Sequence, residues 1–218
     1  MNHPIIEDLQ WRHTAKKYDP TKRIPTPDLE IFFEALRLSP SSINSQPWRF
    51  IVIDSEEARK RLDKTFGEKY PFNRPHTFAA SQIILFAYNP RYNRDDYARI
   101  IDKEILDNRI QPADREKAFA KFIFAEMNTD AAGNTAAWTK AQLYIALGNA
   151  LHTLARLKID ATPLEGIDVP AVNKEFKQEL NGYQCDVALA IGYHHPEGDF
   201  NAELPKSRRE AEEILIKI

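Results

Sequence analysis

Two stretches near opposite ends of this chain place cations on alternate residues. Arg12, Thr14 and Lys16 stand two apart near the start, and Lys206 and Arg208 stand two apart just after Pro205. Alternate side chains of an extended backbone share a face, and Pro205 favours that conformation in Leu204 before it. Guanidinium forks and ammonium groups gathered on one face suit an anion such as a phosphate. Each stretch read alone is also what a solvated basic surface looks like. The phosphate reading needs the fold to bring the two together, and spacing does not decide that.

Two uncharged stretches could complete such a site. Ser39-Pro40-Ser41-Ser42-Ile43-Asn44-Ser45-Gln46-Pro47-Trp48 is dense in neutral donors and acceptors. That composition is compatible with gripping a polyhydroxyl chain and a ring edge, and it is equally the composition of turns. In Thr162-Pro163-Leu164-Glu165-Gly166 the glycine can let backbone approach a flat ligand. The same stretch reads structurally as a helix-to-helix turn, with Asp168 capping the next helix.

These segments lie between regular elements, most of them helical. Thr26-Pro27 reads as an N-cap with proline in the first turn, and Leu29, Phe32, Phe33 and Leu36 then give one buried face. Arg49 to Asp54 and Gln82 to Tyr88 read as strands, and Ser55 caps a charged helix between them. Charged helices are expected over about 93–108 and about 113–127, then a long helix from about Asn134 to Lys158. The middle of that helix, Leu143-Tyr144-Ile145-Ala146-Leu147, is apolar on every side, which predicts burial all round. In a chain this small that suggests a helix shared with a second subunit, with Gly148 allowing another backbone close; a central core helix of a monomer is the other reading. Tyr183 to Tyr193 reads as a third strand holding Cys185. The apolar tail Ile214-Leu215-Ile216-Lys217-Ile218 is expected to pair with a sheet edge, its own or the partner's. Few strands among many helices predict an α+β fold with a central, mostly antiparallel sheet.

The 218 residues suit one domain, 1–218, with a helical excursion over about 92–130. Hydrophobic residues at 43% allow a sizeable core, and a net charge of -2 favours neither nucleic acid nor a membrane surface. One cysteine excludes a disulfide framework and a Cys-based zinc site, and no metal is expected. No signal peptide or bilayer-spanning run is read, so a cytoplasmic setting is expected. With seven glycines and no Gly-x-Gly-x-x-Gly, the dinucleotide fingerprint is absent.

Taken in order, Arg-His-Thr-x-Lys, Ser-Ser-Ile-Asn-Ser-Gln-Pro-Trp, Pro-Leu-Glu-Gly and Leu-Pro-Lys-Ser-Arg resemble the FMN-dependent nitroreductase family. The likeness runs from about Ile5 to about Arg208 and is strongest to the oxygen-insensitive NAD(P)H nitroreductase and NAD(P)H:flavin reductase branch. The resemblance implies an intertwined homodimer with FMN at the subunit interface and a C-terminal strand exchanged between subunits. It implies that the Arg12-His13-Thr14 segment, Lys206 and Arg208 form the FMN phosphate region, with Lys16 near the flavin pyrimidine. Ser41, Ser42 and Asn44 would come from the other subunit. Asn73 would contact the ring edge, with Gln142 nearby, and Pro163, Glu165 and Gly166 would bring backbone to the reactive N5. Ile43, Phe72, His76 and Phe124 would face the substrate. His76 stands where that branch commonly has lysine, and Ile43 where threonine is common.

The implied activity is NADH- or NADPH-dependent two-electron reduction of nitroaromatics, quinones or free flavins by a ping-pong route. A dihydropteridine reductase-type activity and a non-catalytic flavin carrier on the same fold stay open as alternatives. A nucleic-acid module using Arg12, Lys16, Lys17, Lys22 and Arg23 is disfavoured by the acidic balance.

Overall fold

A computed structural model describes residues 3–218; Met1 and Asn2, which open the segment read for a leader, lie outside it. Four strands form one antiparallel sheet in the order β1-β2-β4-β3. They are β1 (Trp48–Ile53), β2 (Gln82–Tyr88), β3 (Asp160–Leu164) and β4 (Gln184–Gly192). The two central strands are near-continuous apolar runs because helices cover both faces. Ile83, Leu85, Ala87, Ala188 and Ala190 point to one core, while Ile84, Phe86, Val187, Leu189 and Ile191 point to the other.

The first core is closed by Leu62 of α3 (Glu56–Thr65), Val172 of α9 (Val169–Glu175) and Leu180 of α10 (Lys177–Leu180), with Phe66 and Phe176. The second is closed by Phe32 and Leu36 of α2 (Thr26–Arg37) and by Leu143, Leu147 and Leu154 of α8 (Ala136–Arg156). Helix α1 (Pro4–Trp11) packs along α8, and its buried Asp8 accepts from Lys158 Nζ at 2.9 Å. A third cluster of Tyr92, Tyr97, Ile101, Phe119, Phe122, Ala125 and Trp138 gathers the segment after β2.

Local chemistry sets most helix starts. Ser55 accepts from the amide of Ala58, Asp168 accepts from that of Ala171, and Asn93 and Asp96 form a reciprocal capping box. Thr26 departs from expectation: it is the first helical residue, Pro25 holds the cap position, and no side chain caps the helix. The first charged helix, α5 (Arg94–Leu106), is continuous, but the second is broken into α6 (Arg115–Ala118), a 3-10 turn at Phe119–Phe122 and α7 (Ile123–Met127). Phe119 and Phe122 both enter the third cluster, and residues three apart eclipse on a 3-10 turn.

The largest departure is β3. Of the residues expected to be a helix-to-helix turn, Thr162, Pro163 and Leu164 lie in a strand, with Pro163 opposite Leu189. Proline is tolerated there because β3 is an edge strand. The long helix α8 is not buried all round in one chain: Tyr144 is 39% and Ile145 45% exposed, and nothing lies within 4 Å of where a Gly148 Cβ would stand. Nor does the tail pair with the chain's own sheet. One helical turn, α11 (Ala211–Ile214), precedes Leu215, Ile216 and Ile218, all exposed.

Candidate functional site

The two cationic stretches meet. Leaving β4, the chain runs antiparallel to residues 12–19: Tyr18 bridges His194, Asp19 N donates to Tyr193 O at 2.8 Å, and His195 N donates to Lys17 O at 2.9 Å. Farther along, Asn201 Nδ2 donates to Thr14 O at 2.8 Å and Lys206 Nζ donates to Arg12 O. Arg12, Thr14, Lys206 and Arg208 thereby line one polar pocket of about 260 Å³, with no carboxylate in its lining.

The electrostatics of this cradle are one-sided. Burial, then the neighbouring Arg208, depresses the Arg12 guanidinium pKa. Burial, then Arg12 and Arg208, does the same to the Lys206 ammonium. Among the described residues none of the three makes a salt bridge. Uncompensated cations held together, of which Arg12 and Lys206 are partly desolvated, favour an anion between them. His13 lines the same pocket, but its ring is committed elsewhere: Nε2 lies 2.9 Å from Asp199 Oδ2 and Nδ1 lies 3.6 Å from Asp160 Oδ1. Asp160 Oδ2 is 2.8 Å from His194 Nδ1. Asp160, His194, Asp199 and Asn201 were not singled out by sequence, since short polar residues around a turn look like ordinary turn chemistry.

A second group lies beside Lys16. His76, in α4 (Arg74–Ala79), is buried with its ring edge-on to Tyr18 at 5.6 Å. Its pKa is lowered by burial and then by the Lys16 charge. Asn73 Nδ2 donates to Gly166 O at 2.8 Å, and a Cβ on Gly166 would stand 2.8 Å from that nitrogen and 3.2 Å from the Phe72 ring. A side chain there would have to displace the Asn73 amide and press on the Phe72 ring. Phe72 itself is mostly exposed. Glu165, one residue before, accepts from Tyr144 Oη at 3.4 Å, and Pro163 lies in β3 just upstream.

The neutral loop carries backbone strain. Ile43, Asn44 and Gln46 have φ of 51°, 57° and 44°. A β-branched residue there is an outlier, and such strain concentrates at functional sites. The loop is braced from outside: Ser42 N donates to Gln142 Oε1 at 2.8 Å, Gln46 N to Ser41 Oγ at 2.9 Å, and Asn44 Nδ2 donates to the buried Glu104 at 3.0 Å. Gln142 thus spends its carbonyl on the loop. None of Ser41, Ser42, Ile43, Asn44 or Phe124 lines the cradle of its own chain; Phe124 is half-exposed on α7.

The fold is α+β, and it gathers Arg12, Thr14, Lys206 and Arg208 in one polar pocket. The nitroreductase family model matches residues 9–193. The chain is 55% identical over 215 residues to the major NAD(P)H-flavin oxidoreductase of Aliivibrio fischeri, covering 99% of each. It is 34% identical over 216 residues to the oxygen-insensitive NAD(P)H nitroreductase of Salmonella typhimurium, covering 98% of this chain and 99% of that one. Its fold matches a protein of Exiguobacterium sibiricum solved in complex with FMN, with TM-score 0.82 at 21% identity over 100% and 99% of the two chains. The chain belongs to the nitroreductase family.

Proposed function

We propose that this protein is an FMN-containing, NAD(P)H-dependent oxidoreductase that reduces flavins, quinones or nitroaromatics in two-electron steps. The carrying observation is the uncompensated cradle of Arg12, Lys206 and Arg208, joined through Lys16 and His76 to the shelf at Asn73 and Gly166. The names of the A. fischeri and S. typhimurium relatives support the same activity.

The residues present fit FMN. Arg12, Thr14, Lys206 and Arg208 would hold its phosphate, with His13 fixing the backbone between them. Lys16 would place a fixed cation where reduced flavin gathers negative charge. Asn73, Pro163, Glu165 and Gly166 would seat the ring edge, and Phe72, His76, Ile43 and Phe124 would border the substrate. FMN, when bound, would supply a hydride acceptor for reduced nicotinamide and, once reduced, an electron-pair donor for the second substrate.

A homodimer fits the exposed apolar stripe of α8 and the unpaired tail, which would add a strand to the partner's sheet. Ser41, Ser42 and Asn44 would then reach the partner's FMN, with Gln142 bracing their loop. No helix among the described residues is long and apolar enough to cross a membrane, and a pocket of about 260 Å³ suits a small anion better than a nucleic acid. A cytoplasmic setting accords with these features.

The test is direct. Purified protein supplied with FMN should be yellow, and stopped-flow mixing with NADH or NADPH should bleach the flavin band. Colourless protein after incubation with FMN would overturn the reading, whereas bound flavin that neither nicotinamide bleaches would point to a carrier.

A further inference from the structure

The cofactor-facing segment is held in an unusual way. Residues 13–16 make no backbone–backbone hydrogen bond among the described residues. Side chains anchor them instead, and one carboxylate holds both ends of the segment, at His13 and at Lys16. Asp199 is 4% exposed. Its Oδ1 accepts from Lys16 N at 3.0 Å and from Asn201 N at 3.2 Å, and its Oδ2 lies 2.9 Å from His13 Nε2. Asn201, fixed in that way, donates to Thr14 O at 2.8 Å. The segment's other side-chain tethers are Thr162 Oγ1 to Ala15 O at 2.6 Å, Arg12 Nη1 to His13 O at 3.5 Å and His13 Nδ1 to Asp160 Oδ1 at 3.6 Å.

We propose that Asp199 is a positioning residue that makes the phosphate cradle and the Lys16 end of the site one rigid unit. This rests on the reading that Arg12, Thr14, Lys206 and Arg208 hold the FMN phosphate while Lys16 faces the ring. Asp199 sits between the two ends and touches both through backbone: Lys16 directly, Thr14 by way of Asn201. Buried amides need acceptors, and bonds to a carboxylate are stronger than neutral ones. Removing the carboxylate frees the Lys16 and Asn201 amides together, so cradle and ring-end cation lose register in one step.

His13, Asp160 and His194 also bring one potential metal-ligating atom each within 4.8 Å of one another. The hydrogen bonds to Asp160 and Asp199 already account for that proximity.

The experiment compares FMN dissociation constants and midpoint potentials of bound flavin in wild type, Asp199→Ala, Asp199→Asn and Arg208→Ala. Asp199→Ala should bind FMN at least roughly tenfold more weakly, because two donors lose their acceptor. Its bound flavin, loaded with excess FMN, should show a lower midpoint potential, by about 30 mV for each tenfold loss in relative stabilisation of the reduced form. Asp199→Asn keeps an acceptor oxygen for both amides and should recover most of both properties. Weaker binding at an unchanged potential would mean a merely structural role and overturn the inference. So would wild-type values of both in Asp199→Ala while Arg208→Ala loses FMN. If Arg208→Ala itself binds like wild type, the underlying phosphate reading fails, separately from the claim for Asp199. Should Asp199→Ala not fold, Asp199→Glu misplaces the same charge by one methylene; unchanged affinity and potential there overturn the inference too.

Discussion

His76 shows how one side chain can set the charge of a site. Its ring is buried against Tyr18, with Lys16 disfavouring protonation and Asp199 partly offsetting that. Burial is the larger cause, and the pKa falls below the ordinary 6.5. His76 is therefore neutral at pH 7, leaving Lys16 as the fixed cation at that end. A depressed histidine pKa means that the unfolded chain takes up a proton before the folded one does. Stability is therefore lost as pH falls from the ordinary value toward the lowered one, and nothing is lost above it. His76→Gln should flatten this acid-side loss, read as the difference between urea midpoints near about pH 7.5 and about pH 5.5. An unchanged pH dependence in the variant would show that His76 is not the group responsible. That His76 departs from lysine was legible in the sequence; that it is buried and neutral came from packing, since spacing carries no information on solvent. The alternation of Arg12, Thr14 and Lys16 with Lys206 and Arg208 was likewise legible. The means of joining them, Asp199 and Asn201, was not, because an Asp and an Asn after Gly198 look like any polar turn.

Elements with their own start signals could be read from the chain. Ser55, Asn93 and Asp168 cap where their residue types suggest, and β2 spans Gln82–Tyr88 as its apolar run predicts. Elements defined by partners could not. Strand β3 contains Pro163 and has no alternation that marks it, and it exists because β4 offers an edge. This matters for the site, since Glu165 and Gly166 follow directly on the end of a paired strand. Gly166 is not in the left-handed region, so alanine is opposed there by contact alone: its Cβ would stand 2.8 Å from Asn73 Nδ2. Gly166→Ala should displace the Asn73 amide, break its bond to Gly166 O and lower stability by ~1 kcal/mol or more. FMN affinity should fall with it. Thermal and FMN titrations that match wild type would remove Gly166 from the shelf.

The whole molecule, taken as one chain, leaves apolar surface that a second copy would cover. Ala141, Tyr144, Ile145 and Gly148 recur at helical spacing on the exposed side of α8. An apolar groove of about 440 Å³ lined by Pro4, Ile5, Ile31, His152 and Leu157 continues that surface across α1 and α2. Gly148 separates the two possibilities. In a lone protomer its Cβ would meet nothing within 4 Å, so replacing it should relieve the ~1 kcal/mol helix penalty of glycine. In a dimer packed on that stripe the same position admits only a hydrogen, and a large side chain would wedge the subunits apart. Gly148→Leu is expected to shift the protein toward monomer in sedimentation velocity. It should also weaken FMN binding, although Gly148 lies outside the cradle, because Ser41, Ser42 and Asn44 would no longer reach the partner's cofactor. A variant that stays dimeric, or a wild type that sediments as a monomer, would place the interface elsewhere and return the strained Ile43–Asn44 loop to a role within its own chain.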